Sequence, residues 1–275
     1  YTIQFKFQTI IKSCNFTKYP FLYAGNYIIV ATGIMHPSGS HTEIVDLNHP
    51  EFQCTGLPDF PIEVAYAAGG IVNGYPIICG GATGNISKLN NEVIRNVSKD
   101  CYEFKERTWN KTETSLDVPK FNLGTGNLVV GDKLLVHGGQ KNGFSFVDSN
   151  EWIGLHERIS PSGAQLLPVG GHCNMMYDDT HFIVTGGSVP SVGKKNFTVT
   201  TKTYICQVDL KKCTEGPSLN QQRRAHGCYK DEEKQYLYVV GGYIEKNSFN
   251  STDNVEYLDL NEAVKKWKLG KNSLC

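Results

Sequence analysis

Apolar residues in this chain come in short runs, many alternating with polar neighbours at a period of two. The clearest run is Tyr236-Leu237-Tyr238-Val239-Val240, which ends in Gly241-Gly242. A polar stretch follows, then Val255-Glu256-Tyr257-Leu258-Asp259-Leu260, a short turn and Trp267. The same arrangement recurs upstream. Ile77-Ile78-Cys79 ends in Gly80-Gly81, Leu134-Leu135-Val136-His137 in Gly138-Gly139, and Phe182-Ile183-Val184-Thr185 in Gly186-Gly187. A weaker copy, Tyr27 to Ala31, ends in Thr32-Gly33. Helical periodicity is scarce, so the pattern predicts an all-β chain of short strands. The last glycines stand at 33, 81, 139, 187 and 242, giving intervals of 48, 58, 48 and 55 residues.

Self-similarity near 50 residues is the period of the kelch propeller. On these Gly pairs, and on the Tyr102/Trp109 and Tyr257/Trp267 pairs behind them, the chain resembles the kelch-repeat family over nearly its whole length. The resemblance implies a β-propeller of four-stranded antiparallel blades, strands a to d, in a single domain over residues 1–275. Five blades are visible, at about 19–54, 62–116, 121–167, 172–219 and 225–269. The ring is then five-bladed or part of a six-bladed one. Residues 1–11 alternate through Ile3, Phe5 and Phe7, as the remnant of a further blade or a closing strap. Turn chemistry falls between strands a and b: Asn73-Gly74, Gly131-Asp132, Asp178-Asp179 and Lys230 to Lys234. Proline lies at the blade crossings, at Pro58, Pro61, Pro119, Pro168 and Pro217, where a fixed φ and a missing amide donor are tolerated. The Gly pairs read as scaffold, since no helix-opening G-x-G-x-x-G accompanies them.

A formal net charge of +0, with no basic stripe, argues against nucleic acid as a partner. No apolar run is long enough to span a membrane as a helix. Nine cysteines and sequons at Asn15, Asn85, Asn96, Asn110, Asn196 and Asn250 point to a secreted glycoprotein. Cys206 and Cys213 lie opposite one another if strands c and d meet at Asp209-Leu210, and Cys79 can face Cys101. Cys14 and Cys275 are candidates for stapling the two ends. Cys173 and Cys228 each lie 13 residues before a Gly pair, in one register of strand a with Ala67 and Thr125. That register reads as a row of small packing residues, with both thiols free.

Catalytic motifs are missing: there is no G-x-S-x-G, H-E-x-x-H or paired-carboxylate pattern. Galactose-oxidase-like enzymes carry a copper radical site on such a propeller, with an adjacent Tyr-His pair that this sequence lacks. Its His137, His172 and His226 fall on strands a and b, where imidazoles reach copper or zinc only if they converge. The expectation is no enzyme, cofactor or metal, with a divergent copper oxidase or other channel-mouth enzyme as one alternative and an intracellular kelch adaptor as the other.

The b–c connections, 82–99, 140–149, 188–201 and 243–254, are long, and long connections on a rigid scaffold carry recognition. The kelch resemblance points to the same face and to a protein partner ahead of a carbohydrate. Candidate contacts are Arg223, Arg224, Arg95, Lys141, Phe144 and Tyr243. The Arg223-Arg224 pair enters the fifth blade, where two guanidinium groups suit an acidic peptide or a sugar acid unless a salt bridge claims them.

Overall fold

The computed structural model describes residues 21–24, 27–31, 40–46, 48, 54–89, 92–126, 128–141, 145–160, 168–191, 197–245 and 250–270. These hold strands and no α-helix. The chain forms two compact units: residues 1–121, 131–134 and 153–158 in one, and 122–130, 135–152 and 159–275 in the other.

Blade one comprises β1 (Phe21–Ala24), β2 (Tyr27–Ala31), β3 (Thr42–Asp46) and β4 (Cys54–Leu57), paired antiparallel in that order. After β5 (Val64–Ala65) come β6 (Ala68–Val72), β7 (Tyr75–Cys79), β8 (Ala82–Leu89), β9 (Glu92–Val97), β10 (Asp100–Lys105) and β11 (Thr108–Ser115). Blade two is β6-β7-β10-β11. Its b–c connection is not a plain loop, because β8 and β9 form a hairpin that adds β5 as a third strand. Val93 and Ile94 give the hairpin its β-branched content.

Blade three is β12 (Val129–Val130), β13 (Lys133–His137), β14 (Asn150–Ile153) and β15 (Arg158–Ile159). The Trp152-Ile153 stretch is its strand c. Blade four comprises β16 (Cys173–Met176) and β17 (His181–Thr185), the inserted hairpin β18 (Ser188–Pro190) and β19 (Phe197–Val199), then β20 (Thr203–Gln207) and β21 (Cys213–Glu215). Blade five is β22 (Gly227–Asp231), β23 (Tyr236–Val240), β24 (Val255–Asp259) and β25 (Trp267–Leu269). Five four-stranded antiparallel blades make this the β-propeller fold, as the repeat implied.

Strand alternation assigns the two faces of each blade. In β17, Phe182 and Val184 pack with Leu135 and Trp152 of blade three, while Ile183 packs with Leu237, Val239, Leu258 and Trp267 of blade five. In the other unit Ile29 of blade one meets Ile78 and Trp109 of blade two. Trp109 and Trp267 are therefore packing residues between blades, as expected.

The Gly pairs explain how one blade is fixed to the next. Both residues of each pair have positive φ, and the second lies at 96–97° in all four copies. This conformation turns the second amide toward the crossing into the following blade: Gly81 N donates to Lys120 O, Gly139 N to Val169 O and Gly187 N to Arg223 O, at 2.7–2.9 Å. At Gly187 a Cβ would meet Val169 Cγ2 at 2.7 Å and His172 Cβ at 3.0 Å, so both the φ and the space require glycine.

Disulfides join Cys79 to Cys101 and Cys206 to Cys213, each pair in direct cross-strand register. One cysteine expectation is overturned. Cys173 and Cys228 are not free; they form a third disulfide, with their Cα atoms 6.1 Å apart. The shared register fails as well: Cys173 pairs with Thr185, one residue before its Gly pair, whereas Cys228 pairs with Val239, two before, and Thr125 lies outside β12 and is exposed. β16 and β22 lie side by side, which brings the two thiols within bridging reach across the blade junction although they stand one register step apart. Cys14 and Cys275 lie outside the described residues. Three disulfides among the described residues indicate an oxidising environment.

Candidate ligand-binding face

The second unit brings three segments together: the β18–β19 hairpin, the crossing 220–224 into blade five, and the b–c connection after Gly242. Glu256 is the hub that holds the crossing to the sheet. It shares a face of β24 with Leu258 and is fully buried. A carboxylate there costs several kcal/mol unless its lone pairs are filled. They are: Asn220 N at 2.6 Å, Asn220 Nδ2 at 2.9 Å, Gln221 N at 3.1 Å and Arg223 Nη2 at 2.7 Å all donate to it. Arg223 Nη1 donates to Gly241 O and Asn254 O. Gln221 Oε1 accepts from Thr252 Oγ1 and Asn254 Nδ2, which holds the crossing to the b–c connection.

Arg223 is thereby corrected as a ligand contact. Its side chain has no exposure, and its charge is spent on Glu256 of the blade it enters. Arg224, one residue on, points the other way. Its guanidinium carbon lies 5.7 Å from the Phe197 ring and 5.2 Å from the Tyr243 ring, and all three side chains are half-buried. Backbone bridges connect Arg224 with Tyr243, and Tyr243 with Ser251. The result is an aromatic–cation–aromatic stack with one member from each segment. Cation–π contacts of this kind contribute ~0.5–2 kcal/mol each and fix the guanidinium plane.

Of the remaining candidates, Lys141 is exposed in the b–c connection of blade three, with its amide donating to Ser145 O. Arg95 falls on β9, though its side chain, like that of Asn85 on β8, is outside the description. Phe144, Asn15 and Asn196 lie outside the described residues. Asn96, Asn110 and Asn250 are exposed. Phe197 and Glu256 were missed. Strand parity was the available signal for Glu256, since a charge sharing a face with Leu258 must find a buried partner.

His137, His172 and His226 approach one another in the same unit, all buried. The His137 and His172 rings meet edge to face at 4.8 Å. One nitrogen of each is turned to a neighbour: His137 Nδ1 to Asn150 Oδ1, His172 Nε2 to Asn174 Nδ2 at 3.3 Å, and His226 Nε2 to Thr185 Oγ1 at 2.9 Å. Among the described residues no three His, Cys, Asp or Glu side chains are grouped to hold a metal ion. Burial holds His172 well below the ordinary imidazole range, with charge repulsion from His137 and His226 adding to it. Burial, assisted by the Arg223 charge, lowers His226 to about 3.

A depressed histidine pKa means that the unfolded chain binds the proton more readily than the folded one. Stability from a neutral His226 is fully present above about 6.5 and is lost as pH falls toward about 3. Between pH 7 and pH 5 the loss is about 2 kcal/mol for this residue. Denaturant midpoints at the two pH values measure it, and His226→Gln should flatten the slope by that amount.

No protein-family profile matches the chain, and no curated protein matches it by sequence. Among solved structures it is similar to one titled "Structure of YjhT", with a TM-score of 0.52, 11% identity, and coverage of 93% of this chain and 98% of that one. At that identity the likeness concerns the fold alone.

Proposed function

We propose that this chain is a non-enzymatic binding module of the kelch-repeat kind, made in the secretory route, that recognises a protein partner through the face carrying Phe197, Arg224 and Tyr243. The stack itself carries the reading. It joins three connections that differ from blade to blade. Glu256 and Gln221 tie two of these connections, the crossing and the b–c connection, to each other and to β24, and each of the three contributes one side chain to a half-exposed, cationic, aromatic surface. Such surfaces are enriched at the centres of protein interfaces. A preorganised guanidinium favours a carboxylate-bearing segment. Three disulfides and six sequons, of which Asn96, Asn110 and Asn250 are exposed, support passage through the secretory route. One nitrogen of each of His137, His172 and His226 is hydrogen-bonded to a neighbouring side chain, which supports a structural role for these imidazoles over a copper centre.

The test is a displayed peptide library, rich in Asp and Glu, panned on the folded protein. Selected peptides should lose at least about tenfold affinity on Arg224→Ala/Tyr243→Ala, or roughly 1.4 kcal/mol. Peptides that bind the variant equally well, or no enrichment at all, would count against the proposal. Stoichiometric copper with a radical absorption band in the purified protein would replace it with the enzyme reading.

A further inference from the structure

The first unit carries an open groove of about 590 Å3 that the binding-face proposal does not use. Its walls are Ile62 and Glu63 ahead of β5, the run Val97-Ser98-Lys99-Asp100 between β9 and β10, and Tyr102 with Pro119. The volume falls in the range of small-ligand clefts, roughly 300–1,000 Å3. The lining combines flat apolar surface with hydroxyl, carboxylate and ammonium groups. Tyr102 is held in place by Phe60, whose ring meets it edge-on at 5.0 Å. Ser98 Oγ accepts from Asp100 N, and Ser98 O accepts from Lys120 N, so this wall is fixed as well.

The wall is itself part of a sequon, Asn96-Val97-Ser98. Asn96 is exposed on β9, one residue from Val97 and two from Ser98, both of which line the groove. We propose that Asn96 is N-glycosylated and that the first sugars of its own glycan lie in this groove, against Tyr102, Ile62 and Pro119. This rests on the secretory reading above. In the modification, Asn96 Nδ2 attacks C1 of the reducing-end sugar of an oligosaccharide carried on a polyprenyl diphosphate. The C1–N bond forms, the C1–O bond to the diphosphate breaks, the amide gives up one proton, and the polyprenyl diphosphate leaves. The seated pair of N-acetylhexosamines presents apolar ring faces to Tyr102 and Pro119. Their hydroxyl and acetamido groups meet Glu63, Ser98 and Lys99. Asn110, exposed on β11, and Asn250, beyond Gly242, do not line this groove and serve as internal controls.

The experiment uses the full chain secreted from a eukaryotic cell line, with site-by-site occupancy read by mass spectrometry. Peptide-N-glycosidase is applied to the folded and to the denatured protein. The expected result is an occupied Asn96 whose glycan is released at least about tenfold more slowly than those of Asn110 and Asn250 when folded, and equally fast when denatured. Asn96→Gln should lower Tm by about 2–4 °C, as a loss of one favourable packed contact does in a chain this size, and Asn110→Gln should not. Trimming every glycan to its first sugar should leave part of the Asn96 effect. An occupied Asn96 released as fast as the controls, with no Tm difference, overturns the seat. An empty Asn96 beside occupied controls overturns this proposal alone. If every sequon is empty, the secretory reading falls with it.

Discussion

Glu256→Ala is expected to remove about 3–5 kcal/mol from the unfolding free energy. The carboxylate takes four hydrogen bonds in a site with no solvent exposure, and its removal leaves the Arg223 charge buried with only carbonyl oxygens to face. Two backbone amides, of Asn220 and Gln221, lose their acceptor at the same time. Glu256→Gln should cost less, because an amide oxygen still accepts, yet the guanidinium loses its counter-charge. The paired change Arg223→Met with Glu256→Leu should recover only the part due to the unpaired charge, since the Asn220 and Gln221 amides still lack their acceptor. Urea midpoints for the four proteins measure this. A loss below about 1 kcal/mol for Glu256→Ala would show that Glu256 is not the hub that holds the crossing to the sheet.

The second large effect concerns the bridge between blades. Replacing both Cys173 and Cys228 by Ser is expected to cost about 4 kcal/mol, because the bridge closes a loop of 55 residues. The loops closed by Cys79–Cys101 and Cys206–Cys213 span 22 and 7 residues, which lowers the chain-entropy contribution to about 3 and about 2 kcal/mol. Guanidinium unfolding without reductant should therefore rank the three double variants in that order. A Cys173/Cys228 variant no less stable than the Cys206/Cys213 variant would contradict the interblade bridge.

The fold was legible because each blade repeats the same physical solution. Alternation in Tyr236 to Val240 separates a face toward blade four, Leu237 and Val239, from the opposite face, Tyr236 and Tyr238. The Gly pairs mark where two successive residues need positive φ, and the five-copy spacing counts the blades. The Cys206–Cys213 disulfide was legible because register follows from turn length, and Cys79–Cys101 because the two cysteines fall on the adjacent strands b and c. The Cys173–Cys228 bridge was not, because strand-level reasoning says nothing about which strands of different blades face one another. The site was legible in part. Arg223 and Arg224 are adjacent and chemically alike, and only the partner on β24 decides which one turns inward. That partner, Glu256, is 33 residues away from Arg223. Phe197 lies on a hairpin that the sequence presented as a loop, so its approach to Arg224 had no local signal.

The central claim is that recognition belongs to the face where Phe197, Arg224 and Tyr243 stack. Amide hydrogen exchange of the whole chain, alone and saturated with a panned peptide, tests it most directly. The account predicts added protection at 188–190, 197–199, 221–224 and 243–254, with the strands of blade one unchanged. Protection confined to the a–b turns at 73–74 and 231–235, or spread over the outer strands β11 and β25, would place the binding surface elsewhere and contradict the claim.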